Sequence, residues 1–294
     1  MRDSIFEIVR QNTDYKKEAI RVNNLIFNEP LILSNDSPRT FTVSQFVDGA
    51  CFFDWKNRGH FIDLEDFLAS CEYEHWKETA NIEISNFLNF AEISYNIWKL
   101  AEQNLLISSF FEPAIQFYQI KEILDDCLAW LNCKAVYFED KEQVIIVEEK
   151  PEVSAVCECL AQDLSMEMLR YNHYKLRGNL KEKKRILLYV AADLEPKKKQ
   201  LKILNETLTD NIFYLLNNLD LRHNNCSEGY PNYKKVVAEM TPDEMEKWYD
   251  ELYKMILLAN LELDNNKRRA EVAALKNGLK ENDTWTSCAW KRRI

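Results

Sequence analysis

Arg222-His223-Asn224-Asn225 is the densest run of chemically versatile side chains in the sequence. The guanidinium is a permanent cation, the imidazole titrates near neutrality, and the carboxamides supply paired donors and acceptors. RNA cleavage by 2′-hydroxyl attack needs a base near neutral pKa and a cation for the developing phosphorane charge. His223 and Arg222 have that chemistry, and with Asn224 and Asn225 they form a candidate metal-independent endoribonuclease centre. The same residues also suit the end of a helix. Asn224 tolerates left-handed backbone, and Arg222 and His223 favour the negative end of a helix dipole.

A second constellation is Arg170, His173 and Arg177, spaced i, i+3 and i+7, which on one helix would share a face. Tyr171 and Tyr174 interleave with them, and stacking surfaces beside cations suit single-stranded RNA. Lys181 and Lys184 extend the set. From Arg170 to Lys202 the chain carries eleven basic residues against Glu182, Asp193 and Glu195, a local excess of +8 inside a net charge of -10, which leaves -18 elsewhere. The interval is a candidate RNA-binding strip on exposed helix faces. The acidic remainder fits a basic protein partner.

The elements that must position these groups read as mainly helical. Only 5 residues are glycine and 46% are hydrophobic, which disfavours turn-rich β architectures. Ser4 to about Glu29 has helical spacing with a break at Asn12-Thr13-Asp14, and a polar loop follows through Ser34-Asn35-Asp36-Ser37-Pro38. Ser44–Trp55 and Asp63–Cys71 read as short helices with polar N-caps. Asn81–Leu106 is apolar nearly all round, as a buried helix is, and Pro113–Leu131 continues in helical register.

The period then changes. Ala135-Val136-Tyr137-Phe138 and Val144-Ile145-Ile146-Val147 predict one β-hairpin, with Pro151 opening a new helix. Glu152–Lys175 reads as helical, Leu180–Leu194 as the next helix, and Leu201, Leu204, Leu208, Ile212 and Leu215 as a third stripe. Thr241-Pro242-Asp243-Glu244 combines an N-cap, a first-turn proline and a capping-box carboxylate. It starts a helix that should bury Met245, Trp248, Leu252, Met255 and Ala259, and Lys267–Leu279 extends a final helix. The expected architecture is an N-terminal helical region over 1–132, a small hairpin over 133–150 and a C-terminal antiparallel helical bundle over 151–294.

Antiparallel helices with a polar cluster at a helix end resemble the HEPN superfamily, over Glu152 to Leu279. The resemblance implies a helical bundle, often dimeric, that binds or cleaves RNA in phage defence or a toxin–antitoxin system. Arg222 matches that family's arginine, and Asn224 or Asn225 its following polar residue. Ser227, Glu228 and Gly229 stand where the family's histidine falls.

Other chemistry finds less support. The eight cysteines are scattered, and Cys157 and Cys159, two apart on a helix, point to different faces, so reduced core thiols without a metal are expected. Asp140 and Glu148-Glu149-Lys150 have the residue types of a metal-dependent nuclease but lack the larger sheet that chemistry needs. No cofactor motif and no membrane-length apolar run is present, so a soluble, cytoplasmic protein is expected. The alternative to RNA chemistry is a non-catalytic acidic interaction module, an inhibitor, antitoxin or scaffold, and exposed aromatics could support a homodimer.

Overall fold

In a computed structural model, residues 14–76 and 82–290 are described, with side chains through residue 279. Helices dominate, as the periodicity predicts. The chain forms two units, one of residues 1–149 with 172–174, the other of 150–171 with 175–294.

The first unit is built on α4 (Ile84–Ile107), with α1 (Tyr15–Phe27) and α5 (Ile115–Trp130) packed on it. Phe90, Ala91, Ile93 and Tyr95 lie within two turns of each other and are all buried, as an all-round apolar helix requires. Asp14 caps α1 by accepting from the Lys16 N–H; the expected helical turns from Ser4 to the Asn12-Thr13 break lie outside the described residues. The polar loop after α1 is not irregular throughout. It is the turn of a small antiparallel sheet in which β1 (Ile32–Ser34) lies between β2 (Thr40–Phe41) and β3 (Phe111–Pro113). Strands of two or three residues are too short for alternation to show in sequence, and Pro113 is tolerated because β3 is an edge.

The stretch Ser44–Trp55 is not one regular helix. A capping box of Thr42 and Gln45 starts α2 (Val43–Phe46), which widens into a π-turn over Val47–Cys51 and tightens to 3₁₀ over Phe52–Asp54. Asp63 caps α3 (Leu64–Ser70) by accepting from the Asp66 N–H. Ile84, in the apolar run that predicts α4, is exposed at the first turn of the helix.

The predicted hairpin is β4 (Cys133–Phe138) and β5 (Gln143–Glu148), in register with Ala135 opposite Ile146. Far from being solvated, it is core to the first unit: Val144 to Val147 are buried, β5 lies on α4 and β4 on α5. Asn96 of α4 binds both backbone groups of Val144 at 2.8 Å. The outer edge of β5 is covered in turn, since the Glu148 N–H donates to the Asn172 carbonyl at 2.9 Å and Val147 bridges His173. This covering removes an exposed strand edge.

The second unit holds α6 (Pro151–Cys157), α7 (Gln162–Arg170), α8 (Leu180–Ala192), α9 (Lys198–Leu204), α10 (Glu206–Asn218), the short α11 (Lys235–Ala238) and α12 (Pro242–Trp290). Helices α6, α8, α9 and α10 all pack on α12. Leu187, Val190, Leu208 and Ile212 are buried, Leu204 partly so. The Thr241 hydroxyl accepts from the Glu244 N–H, and the Glu244 carboxylate accepts from the Thr241 N–H, the predicted capping box.

Two sequence expectations need correction here. Glu152–Lys175 is two helices, because the Ser165 hydroxyl binds the Cys157 carbonyl at 3.0 Å across a turn and because Asn172–Tyr174 leaves the helix for the edge of β5. Trp248 is exposed; the buried stripe of α12 runs through Met245, Tyr249, Leu252, Ile256 and Leu263. Lys267–Leu279 extends the final helix as expected, within the 49-residue α12.

Candidate functional site

The Arg222 cluster sits in a loop that closes the C-terminus of α10. Asp220 turns the chain back with φ 53°, and the Arg222 N–H reaches the Leu216 carbonyl at 3.1 Å. Left-handed backbone thus falls on Asp220, where an acidic side chain tolerates it. Asn225 has no exposed surface. Its Oδ1 accepts from the Asp220 N–H at 2.9 Å, its N–H donates to Asp220 Oδ1 at 3.0 Å, and its Nδ2 donates to the Asn232 carbonyl at 2.7 Å. Asn224 Oδ1 accepts from the Cys226 and Ser227 N–H groups. Arg222 pairs with Glu195 and lies over the Phe213 ring. His223 is exposed. Of the four candidate catalytic groups, two are therefore engaged in folding the loop and one is ion-paired.

The face expected to carry Arg170, His173 and Arg177 does not exist. Helix α7 ends at Arg170, His173 belongs to the first unit and Arg177 to the second. Tyr171 is buried and stacked on Tyr253 with centroids 4.1 Å apart. Tyr174 is half-buried.

The basic interval is largely neutralised by its surroundings. Arg170 pairs with Glu167, Arg185 with Glu167 and Glu182, Lys184 with Asp220, Lys197 with Asp193, and Lys202 with Glu206 and Asp210. Lys183, expected at the surface, is buried. Its Nζ lies 2.7 Å from both Glu246 and Asp250 and 5.1 Å from the Tyr171 ring, and Tyr171 donates to Asp250 at 2.8 Å. Burial opposes ionisation of Glu246, yet Lys183, the Gly178 N–H and Arg177 together hold its carboxyl below the ordinary range. A lysine so enclosed joins α8 to α12; it does not face an anion. Lys181 and Lys199 remain exposed.

Two arrangements were not singled out in the sequence. In the first unit, Glu92 of α4 lies 2.7 Å from His173 Nε2 and accepts from the Ile146 N–H at 2.8 Å. Tyr174 packs on the His173 ring, and burial followed by the Glu92 charge pushes its phenol upward. A glutamate among the apolar residues at the middle of the helix was the available signal, but its partner lies 81 residues away.

The other is a cleft of about 500 Å³, also in the first unit, whose lining includes Asp54, Trp55, Gln103, Tyr137, Glu139 and Glu142. The 3₁₀ turn after α2 brings Asp54 and Trp55, α4 brings Gln103, and the hairpin with its turn brings the rest. Glu142 can occupy the hairpin turn with φ 49°, and its carbonyl accepts from Trp55 Nε1 at 3.5 Å. Gln103 donates to the Tyr137 hydroxyl at 2.5 Å, and Lys99 already lies 5.0 Å over the Tyr137 ring. Glu142 is paired with Lys56. No basic residue lines the cleft. Its wall includes Cys51, whose thiol is pushed up to about 12, first by burial and then by the Asp54 charge.

No family model, curated protein or solved structure matches this chain. Among the described residues no three His, Cys, Asp or Glu side chains converge as a metal site would require, and no helix is long and apolar enough to cross a membrane.

Proposed function

We propose that this chain is a non-catalytic interaction protein that takes a cationic segment of a protein partner, with a lysine or arginine entering the cleft of the first unit. The observation that carries this reading is the lining itself. Asp54 and Glu139 are set beside Trp55 and Tyr137 without a basic residue in the wall, while Glu142 is already paired with Lys56. A cation gains from carboxylates and from an aromatic face together, and Lys99 over Tyr137 illustrates that attraction. The -18 balance outside the basic interval would draw such a partner from a distance. RNA cleavage at Arg222 has weaker support, because Asn225 is spent on the loop and Glu195 occupies the guanidinium. Cys51, Cys71, Cys127, Cys159 and Cys226 are free thiols, which favours a reducing compartment such as the cytoplasm.

Fluorescence anisotropy with labelled oligo-arginine, oligo-glutamate and single-stranded RNA probes tests the assignment. The oligo-arginine peptide should bind, and Asp54→Asn with Glu139→Gln should weaken it by about tenfold, equivalent to about 1.4 kcal/mol. Binding of the RNA instead, weakened by Lys181→Gln with Lys199→Gln and untouched by the cleft variants, would overturn it in favour of the RNA-binding reading.

A further inference from the structure

Beyond Leu263 the helix α12 leaves its core. Among the described side chains Leu263 is the last buried one, yet the helix runs on to Trp290. Past Leu263 the helix has no packing of its own and rests on propagation alone, which adds little per residue. Something that covers its apolar face would hold it.

That face has a heptad pattern. Leu261, Asn265, Arg268, Val272, Leu275 and Leu279 follow spacings of 4, 3, 4, 3 and 4, the alternation of coiled-coil core positions. Asn265, Val272 and Leu279 fall at a, Leu261, Arg268 and Leu275 at d. Val272, Leu275 and Leu279 are 48%, 63% and 56% exposed, although an aliphatic trio on one stripe belongs in an interior. A β-branched residue at a with leucine at d favours two strands, and one asparagine at a sets register and number.

We propose that a second copy of this chain covers the stripe, forming a parallel two-stranded coiled coil over residues 264–279, beyond Leu261, which packs on the core of its own unit. Charge selects both the partner and the direction. The g positions carry Asp264 and Glu271, and the e positions five residues later carry Arg269 and Lys276. In a parallel in-register pair each g residue meets the following e residue of the other helix, so Asp264 meets Arg269 and Glu271 meets Lys276. An antiparallel pair sets g against g and e against e, which brings acid to acid and base to base. Two complementary contacts on each side thus favour the parallel homodimer. Arg268 is the exception in the core; its guanidinium already reaches back to Asp264 at 2.6 Å, and its stem can cover the layer while the charge stays in water. The association is therefore reversible. It is independent of the cleft and engages the other unit.

Sedimentation equilibrium of the 294-residue chain should show a mass that rises with concentration toward twice that of one chain. Val272→Glu with Leu275→Glu should weaken association by more than about tenfold, since it removes two apolar contacts from each helix. Both positions are exposed, so the unfolding of the core should not change. Glu271→Lys alone places like cations at the contact and Lys276→Glu alone like anions, so each should weaken self-association. An equimolar mixture of those two variants restores opposite charges and should recover the dimer. A chain monomeric at all concentrations, association indifferent to the Val272 and Leu275 changes, or a mixture no tighter than its components would each overturn the proposal.

Discussion

Asn225→Ala separates loop chemistry from catalysis at the Arg222 cluster. The substitution deletes two side-chain hydrogen bonds at a position with no exposed surface: the 2.9 Å bond from the Asp220 N–H and the 2.7 Å bond to the Asn232 carbonyl. Both partners are backbone groups, and a buried backbone group left without a partner costs about 1–3 kcal/mol. The reciprocal bond from the Asn225 N–H to Asp220 and the one from the Lys234 N–H to the Asn225 carbonyl survive, since they use backbone atoms of residue 225. Since Asn232 is exposed, the Asp220 N–H bears most of the cost, and the expected loss is about 1–3 kcal/mol. His223→Ala, at an exposed position, should change stability by less than about 0.5 kcal/mol. Urea unfolding followed by circular dichroism gives the magnitude, and amide exchange across Glu206–Asn218 shows whether the loss falls on the helix that the loop closes. A cost near zero for Asn225→Ala, or equal costs for the two variants, would refute the reasoning.

Acidification should weaken the second unit. A carboxyl held low in the folded state contributes stability above its unfolded pKa of about 4.3, and that contribution is lost as pH falls through the folded value. Glu246, held down by Lys183 against the effect of burial, and Glu244, held down by the Thr241 backbone and hydroxyl, are such groups. Lys183→Met should remove the Glu246 part of the dependence, and a pH series of thermal melts that keeps its slope in this variant would contradict the assignment. Thiol titration with a disulfide reagent at pH 8 should label the exposed Cys159 and Cys226 first, whereas Cys51 and Cys127, both pushed up to about 12 by burial, should react only on unfolding; prompt labelling of the latter pair would show that their burial is wrongly drawn.

What was legible in the sequence follows how local each signal is. The all-round apolar α4, the hairpin and the Thr241 capping box each express themselves within a few residues, and each forms where the spacing places it. The break after Arg170 was not legible, because its cause lies in the pairing of Asn172 and His173 with β5, a contact between distant segments. The one-residue offset that exposes Trp248 and buries Tyr249 has the same origin: both aromatics fit the apolar stripe, and packing against the other helices chooses between them. Charge was the least legible property. A run of basic residues looks like a strip in one dimension, but Glu167, Asp220 and Glu246 come to it from other elements. The cleft escaped notice for the converse reason, since Asp54, Gln103 and Glu139 are unremarkable where they stand and gain meaning only when three elements converge.

The return of residues 172–174 to the first unit bears on how the protein is made. During vectorial synthesis the chain through Glu149 emerges first, and at that moment β5 has a bare edge and Glu92 lacks the imidazole that neighbours it in the finished fold. The first unit can be completed only after α6 and α7, which belong to the second, have left the ribosome. A chain terminated at Glu149 would retain that open edge permanently, an invitation to edge-to-edge aggregation. The two units thus have separate cores but no separable genes' worth of sequence, and any attempt to express the first alone has to carry the chain through Tyr174.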